Sequence, residues 1–287
     1  MNRTGDSDFL ASMALASRLR ADEARARQDL QALKAQALAT SPPVPLRLDA
    51  SGFDLIAEIK LHSPAEGVLA EASASSIAER ARDYARAGAA AVSVLTEPSR
   101  FDGRLSHLRE AAAALRGSAC TVMRKDFLVD PFQVYEARAA GAGGVLLIVR
   151  MLDDDMLDQM MEAAAHCGLF VLLEAFDEID LARARALPER WQTGSPQLLV
   201  GLNTRDLRTL EVDTGRLARC RPHFPPRHPA VAESGIADVE DVAGVARLGY
   251  SLALVGSALM RSDNPAMLVT QMLRMGRAEV QPPAAPW

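Results

Sequence analysis

From residue 53 to residue 257, short apolar runs alternate with longer segments whose apolar positions recur every three or four residues. Runs bounded by glycine or polar residues predict strands, and the 3.6-residue period predicts helices. Strands are predicted near 53–60, 90–96, 119–126, 144–149, 170–176, 198–203, 230–235 and 252–257. Helices are predicted between and after them, near 73–87, 104–116, 131–141, 153–167, 177–187, 213–221, 238–248 and 264–275. Gly88, Gly117, Gly168 and Gly249 follow Ala- or Leu-rich stripes, as glycines that end helices do. One strand then one helix, repeated eight times over roughly 225 residues, predicts an α/β chain closed into a (β/α)8 TIM barrel. A doubly wound sheet is the alternative, and the even run of eight favours closure.

Ahead of the barrel, residues 8–38 are rich in Ala, Leu, Arg, Glu and Gln and read as one or two amphipathic helices. Residues 39–46 carry Pro42, Pro43 and Pro45, which cannot continue a helix. The expected organisation is an N-terminal helical extension over 1–50 packed on the barrel, the barrel over 51–277, and a flexible tail over 278–287. Residues 188–197 look like a surface insertion before the sixth strand.

The first strand carries the most informative polar pattern. Leu55, Ile56, Ala57 and Ile59 make it apolar enough to be buried on both faces, yet Glu58 and Lys60 lie two positions apart in it. Side chains alternate along a strand, so both charges share one face. A buried carboxylate and ammonium are costly unless paired or used. Ser63-Pro64 then turns the chain, so the pair stands at the C-terminal end, where ligands bind on this architecture.

Polar residues recur at the same end of the other strands: Thr96 and Glu97, then Arg124, Lys125 and Asp126, then Glu174, Asn203 with Arg205, Glu233 with Ser234, and Gly256 with Ser257. Taken singly, Lys125–Asp126 reads as an ordinary ion pair and Glu174 as a charge reaching solvent. Taken together they must converge on one interior mouth, because helices cover the outside. Ser234-Gly235 and Gly256-Ser257, each ahead of a helical segment, fit a phosphate site built from backbone N–H groups. A partly desolvated lysine in such a mouth is expected at a lowered pKa and a carboxylate at a raised one. The set suits acid–base chemistry on a sugar phosphate.

Composition narrows the choice. Net charge is −5, which disfavours a nucleic-acid partner. Cys120, Cys167 and Cys220 are scattered, which argues against a disulfide framework or structural zinc and fits a reducing, cytoplasmic compartment. No apolar run approaches a membrane span, and a secretory signal is not expected. No metal site is expected from the histidines: His62 lies in a loop, and His107, His166, His223 and His228 fall on outer helices or connections.

These segments together resemble the indole-3-glycerol-phosphate synthase family of tryptophan biosynthesis over about residues 53–262. The resemblance rests on Ile-Ala-Glu-Ile-Lys at 56–60 with Ser-Pro at 63–64, and on Leu-Thr-Glu at 95–97 with Phe101 and Gly103. It continues with Arg-Lys-Asp-Phe at 124–127, Asp-Pro-Phe-Gln-Val-Tyr-Glu-Ala at 130–137 and Leu-Leu-Ile-Val at 146–149. Gly-Leu-Asn-Thr-Arg-Asp-Leu at 201–207, Glu-Ser-Gly-Ile at 233–236 and Val-Gly-Ser-Ala-Leu-Met at 255–260 complete it.

The resemblance implies a carboxy-lyase without cofactor. It closes the pyrrole ring of 1-(2-carboxyphenylamino)-1-deoxyribulose 5-phosphate with loss of carbon dioxide and water, as a monomer or homodimer. It implies Lys125 as general acid, Glu174 as its acid/base partner, Glu58 as the orienting carboxylate and Lys60 as the cation meeting substrate anions, with Ser63 beside it. Asn203 and Arg205, Glu233 and Ser234 match further polar positions, and Gly235, Gly256 and Ser257 match the phosphate loops. The chain departs from the family in the loop after strand one. Members commonly read Lys-Ala-Ser-Pro-Ser-Lys-Gly, and here Leu61-His62-Ser63-Pro64-Ala65-Glu66-Gly67 stands in its place. That departure keeps open a divergent paralogue acting on a modified anthranilate-derived ketose phosphate. A non-catalytic sugar-phosphate-binding barrel is the other alternative, weakened by the presence of both Lys125 and Glu174. The isomerase barrel one step earlier in the pathway is disfavoured, because it uses a Cys/Asp pair that has no counterpart around Cys120.

Overall fold

Eight parallel strands, β1 (Asp54–Ile59), β2 (Ala91–Leu95), β3 (Thr121–Lys125), β4 (Gly144–Ile148), β5 (Phe170–Ala175), β6 (Leu198–Asn203), β7 (Ala230–Glu233) and β8 (Leu252–Val255), follow one another around a closed barrel. β8 pairs back onto β1, with Ile56 opposite Leu254. The structure is a computed structural model and describes residues 4–69, 76–207 and 209–280, with side chains from Phe9 onward. The barrel read from the sequence is therefore the one observed. The first part of the helix predicted over 73–87, and residues 281–287 of the predicted tail, lie outside the described residues.

Two helices precede the barrel, α1 (Thr4–Arg27) and α2 (Leu30–Ala39). The outer layer holds α3 (Ile77–Arg86), α4 (Leu105–Ala114), α5 (Pro131–Ala139), α6 (Asp154–Cys167), α7 (Glu178–Arg185), α8 (Gly215–Cys220), α9 (Val239–Arg247) and α10 (Pro265–Glu279). Most start on a side chain that satisfies the first free N–H groups: Ser76, Asp130, Asp153, Asp177, Asp238 and Asn264 each accept from backbone nitrogens one turn on. Gly88, Gly117, Gly168 and Gly249 all take positive φ where a helix ends, as their positions predicted.

Strand alternation sorts the apolar side chains into two clusters. Leu55, Ala57 and Ile59 of β1, with Val92, Val145 and Val171, pack outward against the helices. Ile56, Met123, Leu146, Leu172, Leu199 and Leu254 fill the barrel itself. Leu46, from the proline-rich segment, belongs to the interior cluster together with Ala90, Phe170 and Leu252 at the strand starts, so that segment stoppers the N-terminal end. The interior is packed with apolar side chains below, and the layer of charged groups that can meet a ligand lies at the C-terminal end.

The strands stop where the backbone turns. β7 ends at Glu233 because Ser234 and Gly235 take φ of 68° and 71°, which an extended strand cannot hold. β8 ends at Val255 because a short helix, Ser257–Arg261, begins two residues later. Residues 188–197 are less of a surface insertion than their composition suggested. They contain a helical turn, Glu189–Gln192, whose Trp191 is buried and donates its indole N–H to Asp158 of α6 at 2.6 Å. Tryptophan in a polar run was the signal that this segment docks.

At Gly144, at the start of β4, a Cβ would collide with the ring of Phe170. Gly144→Ala should destabilise the chain by about 1–3 kcal/mol, the usual cost of overpacking a filled core, read by urea denaturation. An unaltered midpoint would contradict this packing.

Candidate active site

The polar layer is made by inward-facing positions at the ends of β1, β3, β5, β6 and β7. Lys125 Nζ lies 2.8 Å from Glu174 Oε2 and 3.4 Å from Glu233 Oε2. Asn203 Nδ2 donates to the other oxygen of Glu174 at 3.2 Å. Asn203 Oδ1 in turn accepts the backbone N–H of Arg205 at 2.9 Å, so the amide is held from both ends. On β1, Lys60 Nζ lies 3.2 Å from Glu58 Oε1, the same-face pair that alternation predicted. These groups line one cavity with Arg205, Ser234, Gly235, Gly256 and Ser257. Of the strand-end residues named from the sequence, Thr96, Glu97 and Arg124 do not reach its wall, and neither does Ser63. That serine is buried in a two-stranded ribbon, where its hydroxyl accepts the N–H of Ala65 at 3.4 Å.

Two glycines make room for the carboxylates. A Cβ on Gly201 would collide with Glu233 Oε1, and one on Gly256 would collide with Glu58 Oε1 and lie 3.2 Å from Lys60 Nζ. Among the described residues Glu58 Oε2 and Glu233 Oε1 are buried with no hydrogen-bond partner. Buried carboxylate oxygens without donors are costly, and a ligand hydroxyl or ammonium is the kind of group that satisfies them.

Lys125 departs from the expectation of a lowered pKa. Burial alone pushes it down, but the carboxylates of Glu174, Glu233 and Glu58 outweigh burial and hold it raised. Glu233 moves upward as expected: burial and the neighbouring Glu174 disfavour its charge, and Lys125 only partly offsets them. Three carboxylates (Glu58, Glu174, Glu233) face two ammonium groups (Lys60, Lys125) in this layer.

Asp126 does not pair with Lys125. It accepts Arg20 Nη2 of α1 at 2.7 Å, Thr96 Oγ1 at 2.7 Å and Arg124 Nη2 at 3.1 Å. Burial would raise its pKa, but Arg124 and Arg20 hold it low. Glu97 is a helix cap, accepting the N–H groups of Ser99 and Arg100 at 2.9 and 2.7 Å.

Apolar residues complete the cavity: Phe101, Phe127, Leu207 and Ile236, from the loops after β2, β3, β6 and β7. Phe127 packs against Phe101 and against Phe9 of α1, with centroids 6.1 and 6.0 Å apart. Together they give the mouth a flat, apolar side suited to an aromatic ring. The sequence signal for this wall was slight, an isolated large apolar residue in each strand-end loop. Ser234, Gly235, Gly256 and Ser257, after β7 and β8, form the candidate phosphate loops. Thr204 Oγ1 donates to the carbonyls of Glu233 and Ser234 at 3.2 and 3.1 Å, which braces the left-handed turn. Among the described residues no group of three or more His, Cys, Asp or Glu side chains is arranged to hold a metal ion.

The family model for indole-3-glycerol phosphate synthase matches residues 10–272. An indole-3-glycerol phosphate synthase of Nocardioides sp. is 42% identical over 251 residues, covering 88% of this chain and 91% of that protein. One from Leifsonia xyli subsp. xyli is 40% identical over 265 residues, covering 91% and 96%. The chain belongs to the indole-3-glycerol phosphate synthase family. Among solved structures, 3-hexulose-6-phosphate synthase from Salmonella typhimurium superposes with a TM-score of 0.59 at 19% identity, covering 79% of this chain and all (100%) of that one. Phosphoribosyl anthranilate isomerase from Thermotoga maritima gives 0.53 at 14% identity, covering 78% and 99%. At such identities these two share the barrel alone with the synthase family member described here.

The raised pKa of Glu233 has a measurable sign. Above the ordinary glutamate range the folded chain keeps a proton that the unfolded chain has lost, so this group's contribution to stability falls as pH climbs toward its raised value. Glu233→Gln removes that slope. Its stability relative to the parent should grow between about pH 5 and pH 8 in urea denaturation. An advantage that shrinks with pH would show Glu233 ionised in the fold.

Proposed function

We propose that this chain catalyses the synthase reaction itself, converting 1-(2-carboxyphenylamino)-1-deoxyribulose 5-phosphate to indole-3-glycerol phosphate with loss of carbon dioxide and water. The observation that carries the reading is the Lys125–Glu174 pair, 2.8 Å apart, steadied by Asn203 and open to a cavity with one apolar and one anion-binding side. The apolar side formed by Phe101, Phe127 and Leu207 takes the aromatic ring. The loops at Ser234-Gly235 and Gly256-Ser257 take the phosphate. Lys60 and Arg205 meet the remaining negative charge, and Glu58 orients Lys60 and the sugar hydroxyls.

Ring closure joins an aromatic carbon to the ketone carbon, and the ketone oxygen gains negative charge. Lys125 is charged and held, so it stabilises that oxygen and then protonates it. Carbon dioxide leaves from the ring carbon that was attacked, which restores aromaticity. The new hydroxyl then departs as water, protonated by Lys125, while Glu174 takes the proton released as the pyrrole ring forms. Glu233, whose pKa burial raises, stands 3.4 Å from Lys125 and can pass a proton to it.

The three cysteines are buried and unpaired, which supports the reading of a reducing, cytoplasmic compartment. Among the described residues no helix is long and apolar enough to cross a membrane. Glu66, close to the phosphate loops, is the one observation favouring a modified substrate. Better turnover of a ring-substituted analogue than of the ordinary compound would carry that second reading.

Lys125→Met and Glu174→Gln should each lower kcat by about 10²–10⁴-fold, the range for a lost general acid or base, with indole fluorescence as the readout. Because the two act as a unit, the double variant should be little worse than the poorer single one. Absence of turnover in the folded parent enzyme at high concentration would overturn the reading.

A further inference from the structure

The loop that departs most from the family pattern puts a carboxylate where an anion belongs. Glu66 sits in the turn of the ribbon between His62–Ser63 and Gly67–Val68. Its Oε1 accepts the hydroxyl of Ser257 at 2.7 Å and lies 3.7 Å from Arg205 Nη2, and its Oε2 is bonded to Arg261 Nη1. One hydroxyl and two guanidinium groups, from the loop after β6 and the helical turn after β8, thus converge on one carboxylate. Those are the donors a phosphate group uses. Ser257 and Arg205 also line the cavity that holds Lys125 and Glu174.

Two anions cannot share these donors cheaply. Like charges within a few ångströms repel, and more strongly at a protein surface than in bulk water. Glu66 itself is exposed, in the turn of the ribbon. Its neighbour Ala65 is exposed, and Gly67 takes φ +74° with open space where a side chain would project. The flanking residues can swing without disturbing the core.

We propose that Glu66 is an internal anion that occupies the phosphate donors of the empty enzyme and must be displaced when a phosphorylated substrate binds. This rests on the phosphate-loop assignment made under the proposed function. It makes Glu66 a specificity-determining residue. It sets how tightly the anionic end of the substrate is held and leaves the proton-transfer groups alone.

The test compares the full chain with Glu66→Gln and Glu66→Ala. Calorimetric titration with inorganic phosphate supplies a readout independent of turnover, and steady-state kinetics on the carboxyphenylamino ketose phosphate supplies the second. Glutamine keeps an acceptor for Ser257 and removes the charge, so the loop stays tied while the competition ends. Phosphate should bind roughly tenfold tighter to Glu66→Gln, equivalent to about 1.4 kcal/mol, and at least as tightly to Glu66→Ala. The kinetic change should fall on KM in preference to kcat. Unaltered or weaker phosphate binding in both variants overturns the proposal, Glu66 then being a tie that shapes the loop. Tighter phosphate binding with no turnover by parent or variant upholds the proposal and sinks the proposed reaction.

Discussion

An ammonium group held between two buried carboxylates governs this molecule. Lys125 cannot stay in the barrel mouth without Glu174 and Glu233, and those carboxylates cannot stay there without it. None of the three is near another in sequence, since they come from β3, β5 and β7. Only a closed barrel brings alternate strands to face one another across an interior, so the charge cluster and the closure are one requirement.

The rest of the mouth follows from balancing that cluster. Asn203 occupies the second oxygen of Glu174, and Lys60 answers Glu58. The same strand end sustains a second charge network that faces away from the first. Arg124 points out to α5, bonding the Gln133 carbonyl at 2.9 Å, while Asp126 gathers Arg124, Thr96 and Arg20. Alternation along β3 thus turns Lys125 into the cavity and its neighbours to holding the sheet, α5 and α1 together.

Much of this was legible in the sequence because it repeats. Eight strand–helix units, glycines at helix ends and charges at one rim are periodic signals, and each strand told its own inward face by alternation. What escaped were single long-range contacts. Nothing local announces that Arg20 meets Asp126 across 106 positions, or that Trp191 anchors to α6. Ser63 was misplaced because a strand-end hydroxyl looks alike whether it faces the cavity or a turn. Lys125 was expected at a lowered pKa because burial was visible in the sequence pattern, whereas the count of carboxylates around it needed the fold. Glu66 was visible as a departure, but its partners Ser257 and Arg261 lie more than 190 positions away, at separations of 191 and 195.

The two glycines beneath the carboxylates carry a consequence for how this enzyme can change. At Gly201 and Gly256 the vacant side-chain volume is already filled by Glu233 and Glu58, so substitution at either moves a buried carboxylate as well as the packing. Evolution toward a new substrate therefore has few small steps open in the floor of the mouth. The ribbon around Glu66 and the apolar loop residues Phe101 and Leu207 touch the same cavity from its rim, where changes need not shift a charge. Diversity in this lineage should accumulate around the opening while the floor stays fixed.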